Sequence, residues 1–148
     1  MRVIVASDRQ PRSKLKALDV ALALTRGIYA AVYDAEDIPD LGQLRRAAQR
    51  FAAAPDRTFC VQARLALYNA RQSWITRHFT LEYAALFQAL LPALFRLGLA
   101  MPLSGTSNHF PRAFVGAEPR YPFSEDADLG IRLARRSPPF PAASTTSP

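Results

Sequence analysis

Apolar positions along this chain fall into short runs that differ in period, separated by polar stretches that contain proline. Arg2 to Ser7 (Arg-Val-Ile-Val-Ala-Ser) is a continuous β-branched run and predicts a short buried strand. A loop with Pro11 follows. From Lys14 to Arg26 the period changes to that of a helix. Leu15, Leu18 and Leu22 share one face, and Gly27 supplies the C-terminal stop. Ile28 to Tyr33 predicts a second strand, ending at Asp34. Beyond Pro39, Asp40 is placed to cap a helix with Gln43 as capping-box partner, and Leu44, Ala47, Ala48 and Phe51 form its apolar face. Thr58 to Leu67 predicts a third strand. A long helical segment runs from Ser73, kinked or broken at Pro92.

Strand, helix, strand, helix, strand is the order of an α/β sheet with crossover helices. In such sheets ligands sit at the carboxyl ends of the strands, which directs attention to the loop after Tyr33. Residues 137–148 are Ser, Thr, Pro and Ala with one Phe. They bury too little to fold and read as a disordered tail after a domain spanning 1–136.

The chain has 148 residues, enough for one domain with a real core, and a net charge of +7. That charge leaves phosphate handling, an anionic membrane surface and nucleic acid as candidate partners. No nucleic-acid motif and no aromatic ladder accompany the basic residues, so nucleic acid is set aside. Most charges fit solvated helix faces; the basic stretch Arg9, Arg12, Lys14 and Lys16 is the exception. The N-terminus carries no signal peptide pattern. Leu81 to Leu103 is the most apolar stretch, but it contains Glu82, Arg96 and two prolines. A helix packed on a sheet or lying in a membrane interface fits it better than a span. Cys60 is the only cysteine, which rules out an intrachain disulfide, and its apolar neighbours make it a small buried hydrophobe.

Four segments could carry chemistry. Asp34-Ala35-Glu36-Asp37 puts three acids at a strand end. It reads either as a solvated acidic turn or as a hard-oxygen site for a divalent cation that shares its shell with water and substrate phosphates. Ser124-Glu125-Asp126-Ala127-Asp128 opens an amphipathic helix, and a serine N-cap with acids in the first turn is ordinary helix design. Ser104 to Phe110 is a polar loop whose hydroxyls and amide suit sugar hydroxyls, or a plain surface turn. His109 within it has no metal-partner spacing and reads as a packed histidine. In the basic helix start Pro11 to Asp19, either the lysines are solvated or Lys16 meets a phosphate.

The order of these pieces is more specific than any one of them. Pro-Arg-Ser-Lys-Leu-Lys-Ala-Leu, then Val-Tyr-Asp-Ala-Glu-Asp-Ile-Pro-Asp, then Gln-Ala-Arg-Leu, then Gly-Thr-Ser-Asn-His-Phe, then Ser-Glu-Asp-Ala-Asp-Leu-Gly-Ile-Arg-Leu-Ala-Arg resemble the family 2 glycosyltransferases of the bacterial cellulose-synthase-like group. The resemblance runs from about Val3 to Arg136. It implies an incomplete GT-A (Rossmann-like) core, a mixed sheet with flanking helices. It also implies a metal-dependent, inverting transfer of a sugar from a nucleotide-diphosphate donor, such as a UDP-sugar, to a polysaccharide or glycolipid acceptor. By the same resemblance Asp34 and Glu36 hold Mg²⁺ or Mn²⁺ and the donor diphosphate, with Asp37 beside them. Lys16 is a donor-side lysine, Asp126 the general base, and Gly105, Thr106, Ser107 and Asn108 the acceptor loop. A parent enzyme of this kind works at the cytoplasmic face of the bacterial inner membrane; this chain, without a clear transmembrane helix, fits the cytoplasm.

The chain departs from the family at three places. The family has an earlier nucleotide-binding strand, a Gly-Gly-Trp-Asp stretch where this chain has Val115 to Arg120, and a later Gln-x-x-Arg-Trp motif with membrane helices. These departures imply a core truncated at both ends. They keep two alternatives open: an inactive remnant, and a membrane-surface interaction protein.

Overall fold

The structure, a computed structural model, describes residues 3–5, 13–53, 58–115 and 130–131. They form a mixed α/β arrangement. Helix α1 (Lys14–Leu24) starts where the Ser13 hydroxyl accepts from the Lys16 N–H at 3.3 Å. Strand β1 (Tyr29–Val32) follows, then α2 (Gln43–Ala53), β2 (Val61–Gln62) and α3 (Trp74–Ala84). A π-helical turn (Ala85–Leu90) runs into α4 (Leu91–Arg96), and β3 (Asn108–Pro111) leads into α5 (Arg112–Val115).

The sheet order is β1-β3-β2, with β3 antiparallel to both neighbours. β1 and β2 therefore point the same way, as the predicted crossover through α2 requires, but β3 lies between them. The register pairs Val32 with Asn108 and Asn108 with Gln62, and sets His109 between Ala31 and Val61. Alternation along the strands then divides the side chains between two faces. Val32, Cys60 and Phe110 join Leu103 in a core cluster that Leu15, Leu18 and Leu22 of α1 cover. On the other face the ring of Phe51 in α2 stacks on Tyr29 at 4.9 Å. A second cluster, Phe87, Leu91 and Met101, fastens the helical segment to Leu65.

Several sequence expectations are corrected. Val3 and Val5 lie outside the sheet and are exposed, because an apolar run becomes a strand only against a hydrogen-bonding neighbour, and it has none among the described residues. The third strand shrinks from Thr58–Leu67 to Val61–Gln62 plus one bridge at Ala63. Its partner stops there: Ser107 takes a φ of 57°, which turns the backbone away from the ladder. At α2 the Asp40 carboxylate accepts from the Gly42 N–H at 2.8 Å and pairs with Arg46. The Gln43 side chain is buried instead of reaching back to complete a capping box. Leu44 is exposed. Pro92 does not end the helical segment. Its missing N–H and its clash with the Gln88 carbonyl fall at the end of the π-helical turn, which absorbs them.

Among the described residues no helix is long and apolar enough to cross a membrane. Leu81 to Leu103 is divided: Phe87, Leu91 and Met101 are buried, while Leu81, Leu90, Leu97 and Leu99 are exposed. Gly130, helical and buried, lies against the backbone of Met101 and Leu103 so closely that an added Cβ would sit 2.2 Å from the Met101 carbonyl oxygen.

Candidate functional site

The antiparallel register builds the site. Because β3 runs against β1 and β2, the loop entering β3 lies beside the chain leaving the other two strands. Three segments distant in sequence meet there: the acidic turn after β1, the Leu65–Asn69 segment after β2, and Thr106. They enclose a cleft of about 440 Å³, completed by Phe79 and Tyr83 of α3.

The acidic turn is a folded unit. The Asp37 N–H donates to the Asp34 carbonyl at 3.2 Å, and the Asp34 N–H donates to Asp37 Oδ2 at 2.9 Å and Thr106 Oγ1 at 3.0 Å. The Thr106 hydroxyl donates in turn to Asp37 Oδ2. One carboxylate oxygen of Asp37 is thus committed to holding the turn against the loop. Asp34 and Asp37 are half-buried, and Glu36 is exposed at the tip of the turn.

The ammonium of Lys14 binds Asp34 Oδ1 and the Gly105 carbonyl, the latter at 2.6 Å. Lys14 is thus the lysine that meets the acidic turn; Lys16, the donor-side lysine of the resemblance, lies two residues further along α1. The N-cap at Ser13 decides this, because it sets Lys14 at the first helical position, next to the loop. The basic stretch around Pro11 is legible in the sequence, but which of its side chains reaches the acidic turn depends on helix phase.

The polar loop is more internal than expected. Thr106, Ser107 and Asn108 are buried. The Asn108 amide donates to the Ser104 carbonyl, Gln62 Nε2 donates to Ser104 Oγ, and the Ala63 N–H donates to the Ser107 carbonyl at 2.9 Å. Of the four predicted acceptor-loop residues, Thr106 alone lines the cleft. Gly105 offers its carbonyl to Lys14, Ser107 is buried with its carbonyl on the Ala63 N–H, and Asn108 spends its amide inside the protein.

His109 is packed and hydrogen-bonded, as its isolation in the sequence indicated. Its Nδ1–H donates to the Val61 carbonyl at 2.9 Å, which leaves Nε2 to accept from the Tyr33 hydroxyl at 3.1 Å. Burial pushes the His109 pKa down. It pushes the Tyr33 pKa up, and the negative charge of Asp37 adds to that effect. Burial also pushes the Cys60 thiol up, so Cys60 holds its proton and behaves as a hydrophobe. Asp126, with Ser124, Glu125 and Asp128, lies outside the described residues.

The cleft offers oxygen donors, which suit hard divalent cations. Asp34 Oδ1 already faces a cation in the Lys14 ammonium. Among the described residues no three His, Cys, Asp or Glu side chains are grouped to hold a metal ion. Comparison of the chain with protein-family descriptions, curated proteins and solved structures finds no match in any of the three.

Proposed function

We propose that this chain carries part of the catalytic core of an inverting glycosyltransferase that moves a sugar from a nucleotide-diphosphate donor to a polysaccharide or glycolipid acceptor. The observation that carries the reading is the convergence of the Asp34–Asp37 turn, the Lys14 ammonium and Thr106 at the carboxyl end of β1, beside one cleft. Inverting transfer is a single in-line displacement at the anomeric carbon. It requires a base on the acceptor hydroxyl and neutralisation of charge on the departing diphosphate. Lys14 supplies positive charge on the donor side, freed for phosphate when Asp34 takes another partner. Asp34 and Glu36 would hold Mg²⁺ or Mn²⁺, which neutralises the leaving group when bound. Asp126 takes the acceptor proton.

Calorimetric titration of the folded chain with UDP-glucose and UDP, with and without Mn²⁺, tests the reading. Metal-dependent binding is expected. No binding with metal present would refute it in favour of a non-catalytic remnant. Asp126→Asn, placed in a longer enzyme of this type, abolishes transfer and preserves donor binding. Transfer that survives removes Asp126 from the base role.

A second reading rests on the exposed apolar residues Trp74, Ile75, Leu81 and Leu97 together with the +7 charge: attachment to an anionic membrane surface. Binding to anionic liposomes that persists in Asp34→Asn favours it.

A further inference from the structure

The lining of the cleft beside the acidic turn includes aromatic rings and carboxylates, together with the aliphatic Ile38, Leu65 and Leu67. Tyr68, Phe79 and Tyr83 supply aromatic rings, and Asp34, Glu36 and Asp37 supply carboxylates. Phe79 and Tyr83 are four residues apart on α3 and so share one face of that helix. Tyr83 is steadied from behind by Phe87, a buried core residue at 6.0 Å between ring centroids. Tyr68 is 85% exposed and Phe79 46%, although rings of this size ordinarily gain by burial. None of the residues lining the cleft is a lysine or arginine.

This lining selects a ligand class. Three carboxylates against the ammonium of Lys14, which pairs with Asp34 from outside the lining, disfavour an anionic ring such as a uronate while no metal ion is bound. A lipid chain would cover the exposed Glu36 carboxylate without offering it a donor, at a cost. A neutral sugar ring answers both walls. Its C–H face carries slight positive charge and packs on the negative face of an aromatic ring, while its hydroxyls donate to carboxylates. A volume of about 440 Å³ lies in the range of small-molecule sites, about 300–1,000 Å³.

We infer that the Tyr68–Phe79–Tyr83 wall is a subsite for neutral saccharide, stacking one sugar ring whose hydroxyls face the Asp34–Asp37 turn. It builds on the transferase reading in giving that saccharide the part of the acceptor. It also moves acceptor contact away from Ser107 and Asn108, which are buried and committed internally, onto residues that the sequence motifs did not single out.

The test is NMR titration of the isotope-labelled full chain with three neutral hexasaccharides (β-1,4-glucose, α-1,4-glucose and β-1,4-N-acetylglucosamine), with hexagalacturonate as anionic comparator, in the absence of nucleotide and metal. At least one neutral hexasaccharide saturates, shifting the resonances of Tyr68 and Phe79, and hexagalacturonate binds far more weakly. Tyr68→Ala weakens the neutral ligand about tenfold, while Tyr68→Phe keeps it, because the ring face and not the hydroxyl makes the contact. Both substitutions are at an exposed position, so the fold survives them, and the dispersed spectrum verifies this. The inference is overturned if no neutral saccharide saturates the folded chain, or if Tyr68→Ala and Phe79→Ala bind as the wild type does. Titration of the same samples with UDP and Mn²⁺ separates the two readings. Saccharide binding without UDP binding upholds the subsite and sinks the transferase reading, whereas UDP binding without saccharide binding does the reverse.

Discussion

His109 is held neutral between two partners, and this makes stability depend on pH in a way that can be worked out. Its Nδ1–H donates to Val61 and its Nε2 accepts from Tyr33. Protonation would place a hydrogen on Nε2, facing the Tyr33 hydroxyl hydrogen, and would bury a charge in a side chain that is 3% exposed. The folded-state pKa accordingly lies below the ordinary imidazole value of 6.5, which is the value in the unfolded chain. As pH falls below 6.5 the unfolded state takes up the proton first. The stability His109 contributes is therefore complete above 6.5 and is lost as pH falls from there toward the folded pKa. The steepest slope this one group can produce is about 1.4 kcal/mol per pH unit. His109→Asn keeps a donor for Val61 and cannot titrate. Its shorter amide does not reach the Tyr33 hydroxyl and lacks part of the ring volume, a cost of about 2–3 kcal/mol at pH 7.5. Urea melts followed by far-ultraviolet circular dichroism at pH 7.5, 6.5 and 5.5 compare the two chains. The gap between them should narrow as pH drops, because the wild type alone carries this slope, and the other histidine, His78, is common to both. Parallel loss of stability in wild type and variant would refute the account of His109 as a buried neutral hinge between β2 and the end of β1.

Three other outcomes are expected. Asp34→Asn brings the Mn²⁺-dependent affinity for UDP down to the metal-free value in calorimetry, yet shifts stability by less than about 1 kcal/mol, since its pair with Lys14 is largely exposed. Phe87→Ala, at a position 1% exposed between Leu91 and Tyr83, costs about 3–5 kcal/mol in denaturant melts and loosens the Tyr83 wall of the cleft. Gly130→Ala drives a methyl group into the Met101 carbonyl and costs at least about 1–3 kcal/mol; a melting curve unchanged from wild type would mean that this close backbone contact does not form.

The sequence alone placed α1, α2, the helical segment from Ser73 and the strand before Asp34; it read the segment that becomes β3 as a polar loop. Leu15, Leu18 and Leu22 share a face because the helical period puts them there. It also marked the acidic turn at a strand end and the isolation of His109 and Cys60. These are local properties, fixed by covalent spacing and intrinsic preference. Tertiary structure decided the rest. The insertion of β3 between β1 and β2 depends on which edges find hydrogen-bonding partners, and that choice brings Thr106 to Asp37 and Leu65–Asn69 to the acidic turn. Helix phase against the sheet brought Lys14 to Asp34. Pairing length, cut off where Ser107 turns, left Tyr68 exposed at the cleft rather than following an extended strand. Each of these contacts joins residues far apart in the chain, and no periodicity within a segment encodes how two segments share one hydrogen-bonding edge.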